Sequence, residues 1–341
     1  MLKKKHAHKE KKESTHLFLF ILGGVALYFL SGWVDELRVY QGASIAVYVI
    51  AISSIILLTG YSGQVSLGHG ALMAVGAYAA VVLRIEYNLP IILCFVASVL
   101  VAAIGGALLG AAAARLSGPY LAGTTLALAV GLPSLANQFT VLGGEQGLLF
   151  DVGFPPLALG EEFTQYKWFF WIAGLAALIS LWTIRNLLNS AYGRAWKAGR
   201  ANEVAAQLAG INTARSKVLA FTISAGIAGL AGALLAMTIG TVSPSAFPLA
   251  LSFAVLTGAV LAGITTLGGV IVGAVLLVII PEIADLIAHK LGSSESVITN
   301  LPGLIVSGLL ILTVLFVPNG PVEQHRARKA KHEALLGSTL S

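Results

Sequence analysis

Residues 60–70 read Gly-Tyr-Ser-Gly-Gln-Val-Ser-Leu-Gly-His-Gly, glycines interleaved with neutral hydrogen-bonding side chains inside an apolar stretch. In hydrocarbon every backbone amide needs a partner from the protein or from a water-filled cavity, so such a run marks a broken or re-entrant helix. Gly63, Gln64, Ser66, Gly68 and His69 are therefore candidates to line a translocation pathway. They offer donors and acceptors without fixed charge, which suits brief contact with a zwitterionic solute. Thr124, Thr125 and Asn137, with Gln138 beside it, form a second, sparser set. The competing reading is that the glycines only let helices approach closely, as the Gly106-x-x-x-Gly110 and Gly269-x-x-x-Gly273 spacings do. His69 has no acid or second histidine near it in sequence, so no metal site is expected. Gly143, Gly144, Glu145 and Gln146 lie in a glycine- and proline-rich loop, where the polar pair is placed to meet an arriving solute or its carrier, or is simply solvated.

A mechanical chemistry is suggested by the polar stretch 189–214. Residues 201–209 are strong helix formers with alanines at 205, 206 and 209, and Gly210 can supply the left-handed turn that stops a helix. Leu208 and Ile211 add apolar contacts. A short helix of this kind, carrying Glu203, Ala205, Ala206 and ending at Gly210, can plug into a groove on another protein as a rigid lever. The alternative is an amphipathic helix resting on the inner leaflet.

The elements that must position these residues follow from composition. Of 341 residues 57% are hydrophobic and only 11% charged, against about 25% charged in ordinary soluble domains. A soluble globule is excluded, and so is a nucleic-acid-coating chain despite the net charge of +6. The single cysteine, Cys94, sits in an apolar run and can build no disulfide framework. Apolar runs near 17–34, 43–60, 65–83, 90–114, 119–141, 168–188, 216–239, 250–267, 268–288 and 302–318 give ten candidate spans, with the stretches 60–83 and 250–273 broken or re-entrant. The expected fold is an all-α polytopic bundle of about 8–10 transmembrane helices. It divides into a basic tail over 1–16, a membrane domain over 17–320 and a second basic tail over 321–341. The first apolar run is too long for a signal-peptide core and is read as a retained span. Six crossings separate the basic N-terminus from the basic 189–214 segment and four more separate that segment from the basic C-terminus, so all three share one side. That side gathers every Lys and Arg except Arg38, Arg84, Lys167 and Lys290, and the positive-inside rule makes it cytoplasmic. Both tails are then cytoplasmic, with the first held at the lipid surface. No internal repeat is evident.

Several blocks together resemble one family. The segment Glu203-Val-Ala-Ala-Gln-Leu-Ala-Gly210 is similar to the coupling loop of ATP-binding-cassette (ABC) importer permeases, Glu-Ala-Ala followed by three residues and Gly, with the acid displaced by one position. The block 60–78 and the block Gly118-Pro-Tyr-Leu-Ala-Gly-Thr-Thr-Leu-Ala127 resemble LivM-type branched-chain amino-acid permeases. Gly143-Gly-Glu-Gln-Gly-Leu148, Ser243-Pro-Ser-Ala-Phe247 and Phe316-Val-Pro-Asn-Gly320 complete an order that matches from about residue 43 to 320. Two departures stand out. The stretch Ala262-Gly-Ile-Thr-Thr-Leu-Gly-Gly-Val270 replaces two glycines and a proline of the family's turn, and Ala254 stands where relatives often carry a carboxylate. The resemblance implies a type II importer-like permease working by alternating access, with a LivH-type partner permease, two cytoplasmic ABC ATPases and an extracytoplasmic solute-binding protein. It implies the prokaryotic cell membrane as location, and branched-chain amino acids as cargo, with urea or short amides the alternative.

No glycine is followed by lysine anywhere, so a P-loop is absent and ATP, on this reading, is used by the partner subunits while this chain binds no cofactor and is not an enzyme. Two other classes compete. Gly60-Tyr61-Ser62-Gly63 matches the Gly-x-Ser-Gly of rhomboid-type proteases with His289 as base, a four-residue match that chance supplies readily in a chain with 38 glycines. An autonomous secondary transporter or channel would move solute without ATP.

Overall fold

The structure is a computed structural model describing residues 32–116, 118–156, 159–160 and 163–290, together with isolated positions between 23 and 29 and between 301 and 315. The tails 1–16 and 321–341, and most of the expected spans 17–34 and 302–318, lie outside the described residues.

Eight helices among the described residues are long and apolar enough to cross a membrane. Helix α1 (Glu36–Ile55) runs on through a π-helical turn over Ile56–Tyr61. Then follow α2 (His69–Tyr87), α3 (Ile91–Ala113), α4 (Pro119–Ala136) and α5 (Gln165–Asn189). Two short polar helices, α6 (Ala191–Ala201) and α7 (Glu203–Leu208), precede α8 (Thr213–Ile239), α9 (Leu249–Ala262) and α10 (Val270–Lys290). Local chemistry sets the ends. Asn88 closes α2 in the left-handed region, Pro90 precedes α3, and Gly118 at φ +55° turns the chain into Pro119, whose missing N–H is harmless at the first helical position. The all-α expectation is amended by one two-stranded ladder, β1 (Leu148–Leu149) against β2 (Thr241–Val242), which ties the loop after α4 to the end of α8.

The spans alternate between two ends. One end carries Arg115, Arg185, Arg194, Lys197, Arg200, Arg215 and Lys217 with Glu203 as the lone acid among its described residues. The other carries Asp35, Glu36, Glu86, Glu145, Asp151, Glu282 and Asp285 against four basic residues. We call them the basic and acidic ends.

Helix α8 is the axis of the bundle. Lipid offers helices no hydrophobic reason to associate, so close packing of small residues must hold them. Gly76 of α2 meets Gly229, Gly232 meets the Met73 carbonyl, and Gly106 and Gly110 of α3 seat on Phe221, Ala225 and Val218. At each contact a β-carbon would strike backbone or a buried side chain. The second expected pair behaves likewise, Gly269 and Gly273 pressing against Ala262 and Gly258 where α10 crosses α9. Helix α4 is different: it buries only Leu121, Thr125, Ala129 and Ala136, and its opposite face is open.

Alanine should therefore act oppositely at two helical glycines. Gly232→Ala is expected to lower the melting temperature in detergent, since overpacking costs roughly 1–3 kcal/mol. Gly123→Ala, with nothing within 4 Å of its β-carbon, should leave stability unchanged or raise it. Equal melting of the two variants would contradict the packing described.

Candidate functional site

The 60–70 block is where the chain breaks. With its π turn α1 covers 26 residues, about 39 Å at 1.5 Å per residue, and so overshoots a hydrocarbon core of about 30 Å. The widened turn ends with Ser62 N–H donating to Leu57 O at 3.2 Å and Gln64 N–H to Leu58 O at 3.2 Å. The chain then doubles back without helical structure over residues 63–68 and starts α2 well inside the bundle. Gly70 N–H donates to Ser252 Oγ at 2.9 Å, and Ser252 lies about 15 Å from the basic end of α9. His69 meets Ser224, about 16 Å along α8 from that same end.

The first amides of a helix have no partners within it. Around the start of α2, side chains of the segment itself and of other helices supply acceptors. Leu67 N–H donates to Thr125 Oγ1 of α4 at 3.0 Å, Gly68 N–H to Ser66 Oγ at 3.4 Å, and Gly70 N–H to Ser252 of α9. His69, 1% exposed, completes the knot through Ser66 Oγ at 3.2 Å from Nδ1 and Ser224 Oγ at 3.0 Å from Nε2. Ser224 gives its one hydroxyl proton to Ser54 O at 2.8 Å, so it must accept from His69 Nε2–H, while Nδ1 faces the Ser66 hydroxyl. Both ring nitrogens are engaged. Gln64 is buried, donating from Nε2 to Ser62 Oγ at 2.6 Å, while its Oε1 has no partner among the described residues. Thr59 Oγ1 donates to Gln64 O at 3.0 Å and holds that residue at the π turn.

The remaining pathway candidates are dispersed. Thr124 is half-buried on α4 and bonds to Tyr120 O at 2.8 Å, whereas Asn137 is exposed just beyond the end of that helix. Gly63 lies at the basic end against the stem of Arg200, away from the His69 knot. At the acidic end Gly143 and Gly144 adopt φ +81° and +57° in the turn that presents Glu145 and Gln146 to solvent. Gly147 sits so close to Val242 and Ser243 that no β-carbon fits, which docks this loop on the α8–α9 link. Also toward the acidic end, a cavity of about 440 Å³ is bounded by Tyr48, Leu235, Phe253, Ala254, Thr257 and Leu277. Ala254, one of the two family departures, thus lines a real space.

The basic end carries the stretch 189–214, folded as the two short helices α6 and α7. Ser190 Oγ accepts from Tyr192 N–H to start α6, and Asn202 Oδ1 accepts from Ala205 N–H at 3.0 Å to start α7. Helix α7 stops in a Schellman turn: Ile211 N–H reaches Ala206 O at 3.0 Å and Gly210 N–H reaches Gln207 O at 2.9 Å, with Gly210 at φ +83°. Asn212 Oδ1 at once caps α8 through Arg215 N–H at 2.9 Å. Trp196, 2% exposed, bonds Ser216 O at 2.9 Å, and Glu203 pairs with Lys217 at 2.7 Å. Ala206 is buried and Ala205 exposed, while Val204 and Leu208, one turn apart, are 65% and 86% exposed. Sequence reasoning missed Trp196, Arg200, Lys217, Ser224 and Ser252. A tryptophan inside a polar stretch was a readable signal for the first; the partners of the others emerge only from the fold. The rhomboid alternative fails on geometry, because Ser62 is at the basic end and residue 289 ends α10 at the other.

Two measurements follow. Thr125→Val strands the part-buried Leu67 N–H and should destabilise the protein by about 1 kcal/mol in thermal unfolding, whereas Thr125→Ser should not. The hydrogen bond from Lys217, the larger influence, holds the Glu203 carboxyl below its ordinary value of 4.5, against burial. A carboxylate depressed in this way stabilises the fold above that ordinary value and loses the effect as pH falls through the folded one. The stability gap between wild type and Glu203→Gln, at most about 1 kcal/mol for so exposed a pair, should therefore close below pH 4.5 and stay open at neutral pH.

Comparison with known proteins gives this geometry its context. Residues 40–315 match the family model described as branched-chain amino acid transport system / permease component. The high-affinity branched-chain amino acid transport system permease protein LivM of Escherichia coli (strain K12) is 33% identical over 315 residues, 85% of this chain and 71% of that protein. LivH of the same strain is 30% identical over 191 residues, 56% of this chain and 54% of that protein. The autoinducer 2 import system permease protein LsrC of Escherichia coli (strain K12 / DH10B) is 27% identical over 269 residues, 75% of this chain and 74% of that protein. No solved structure matches the chain significantly. With a family model spanning most of its length and a LivM relative aligned over most of both chains, this multi-pass membrane protein belongs to the permease components of branched-chain amino acid transport systems.

Proposed function

We propose that the chain is one membrane subunit of an ABC importer that carries branched-chain amino acids by alternating access. The single observation that carries the reading is the lever at the basic end, a helix capped at both ends whose outward face presents Val204 and Leu208. An exposed apolar pair on a rigidly held helix is suited to burial in a partner's groove. The excess of Lys and Arg at that end makes it the cytoplasmic one, where an ATPase has access to nucleotide. On this reading two ATPase subunits close on ATP, α7 follows them, and the attached α5 and α8 tilt. Glu203, Ala205, Ala206 and Gly210 form the coupling element, and the chain itself binds no ATP. A LivH-type permease covers the open face of α4, bringing Thr124 to the wall of the pathway between subunits. The re-entrant segment with Gly63, Gln64, Ser66, Gly68 and His69 gates that pathway, and Asn137 lies near its acidic mouth. A solute-binding protein docks at the acidic end, where Gly143, Gly144, Glu145 and Gln146 meet it. The chain then resides in the prokaryotic inner membrane with cytoplasmic termini.

The test separates lever from spans. Gly210→Pro cannot adopt the positive φ of the turn, and Leu208→Glu places a charge in the docking face. Both should insert normally, lose ATPase capture in pull-downs and reduce leucine uptake by at least tenfold in vesicles holding the full complex. Normal uptake in both variants overturns the assignment. Leucine movement by the chain alone in liposomes, without ATP, would instead establish a secondary transporter.

A further inference from the structure

We infer that Arg200 is a positioning residue through which the lever moves the re-entrant segment, in addition to the spans joined to the lever by the chain. This rests on the importer reading above. The π turn at the end of α1 leaves the Gly60 carbonyl at a helix C-terminus, where the dipole is negative and a cation is favoured. Arg200, in the last turn of α6, donates from its guanidinium to that carbonyl. Its aliphatic stem fills the place that a side chain at position 63 would occupy, 2.8 Å from the site of the absent β-carbon. One turn earlier on the same face, Lys197 Nζ stands 5.1 Å from the centroid of the Tyr61 ring. Tyr61 Oη donates to Thr265 O at 2.9 Å in the turn between α9 and α10, and Gly60 packs so tightly on the Ile264 carbonyl that no β-carbon fits.

These contacts join three bodies that the sequence keeps far apart: the lever, the end of α1 and the turn joining α9 to α10. The other anchors of the lever, Trp196 to Ser216 and Glu203 to Lys217, reach only α8. Arg200, with Lys197 over the Tyr61 ring beside it, grips the point where the extended segment 63–68 begins. A displacement of α6 that keeps this grip must draw Gly60 and Tyr61 with it. It must also pull on Gln64, tied to the π turn by the Thr59 hydroxyl and carrying the buried Oε1 that lacks a partner among the described residues. The motion therefore arrives at the one stretch of irregular backbone that leads into the buried start of α2. Without Arg200 the lever would still tilt α5 and α8, but it would hold the segment far more weakly, through Lys197 over the Tyr61 ring.

The experiment uses the whole complex in proteoliposomes and reads leucine imported per ATP hydrolysed. Wild type sets the reference, and complex assembly is measured for each variant. Arg200→Ala is expected to lower the ratio at least fivefold, with Arg200→Lys recovering part of it because a cation still reaches the carbonyl. Tyr61→Phe, which removes only the hydroxyl donated to Thr265 and leaves the lever surface intact, should lower the ratio on its own and add little to Arg200→Ala in the double variant. A wild-type ratio in Arg200→Ala overturns the inference. Should that variant fail to assemble, a wild-type ratio in Tyr61→Phe overturns it instead. A wild-type complex that imports leucine without consuming ATP would remove the parent reading and this one with it.

Discussion

Burying the start of a helix inside a membrane protein is the constraint on which this structure turns. The leading amides of α2 lie too deep for bulk water, and an unpartnered buried N–H is costly. The chain meets the need with hydroxyls from helices remote in sequence, Thr125 on α4 and Ser252 on α9, and with the Ser66–His69–Ser224–Ser54 relay that reaches α8 and α1. The Thr125 and Ser252 bonds each serve twice, solvating an amide and fixing the position of the helix that supplies the acceptor, while the relay ties the same knot to α8 and α1. All the groups are neutral, so the bundle carries this polar knot without the desolvation penalty of a charge.

Packing elsewhere in the membrane domain is equally economical. Around α8 many of the close contacts are glycine against backbone or against alanine. Such interfaces have a well-defined close-packed arrangement and resist gradual deformation. At the basic end the lever is stiff for a different reason. Its two helices are separated by the single residue Asn202, which caps the second, and the Schellman turn passes directly into the Asn212 cap of α8. Little chain is left loose between α5 and α8, so a force applied at Val204 and Leu208 is delivered to the spans.

How much of this was readable beforehand differs by kind of signal. Hydropathy and charge located the spans, because length and composition alone decide whether a helix fits the bilayer. Gly106, Gly110, Gly269 and Gly273 gave away two helix contacts through their spacing, and the helix-forming run 201–209 with its stop at Gly210 gave away the short helix α7, since left-handed stops are local chemistry. The break at 60–70 was legible as a break. Its partners were not, because nothing near Ser224 or Ser252 in sequence distinguishes them from serines that bond their own helix, as Ser98 does with Phe95 O. Gly63 shows the same limit from the other side. Grouped by sequence with Ser66 and His69, it lies in space against Arg200, because the chain reverses between them. The β1–β2 ladder was invisible for a simpler reason: two residues on each side carry no alternation to detect.

The saturation of the knot bears on where solute can travel. A zwitterion passing beside His69 in this conformation would have to displace Ser66 or Ser224, and each broken bond would strand a buried group at a cost of about 1–3 kcal/mol. Among the described residues no comparable obstacle lies on the outer face of α4, where Tyr120, Gly123 and Val130 are exposed and Thr124 is half-buried. A second subunit laid against that face would enclose a passage with one wall already built. The knot then serves as the brace behind that wall, since Thr125, which holds α4 to the re-entrant segment, neighbours Thr124 on the same turn. Movement of the segment would shift the wall without any solute entering the core, so transport and the integrity of the bundle need not compete.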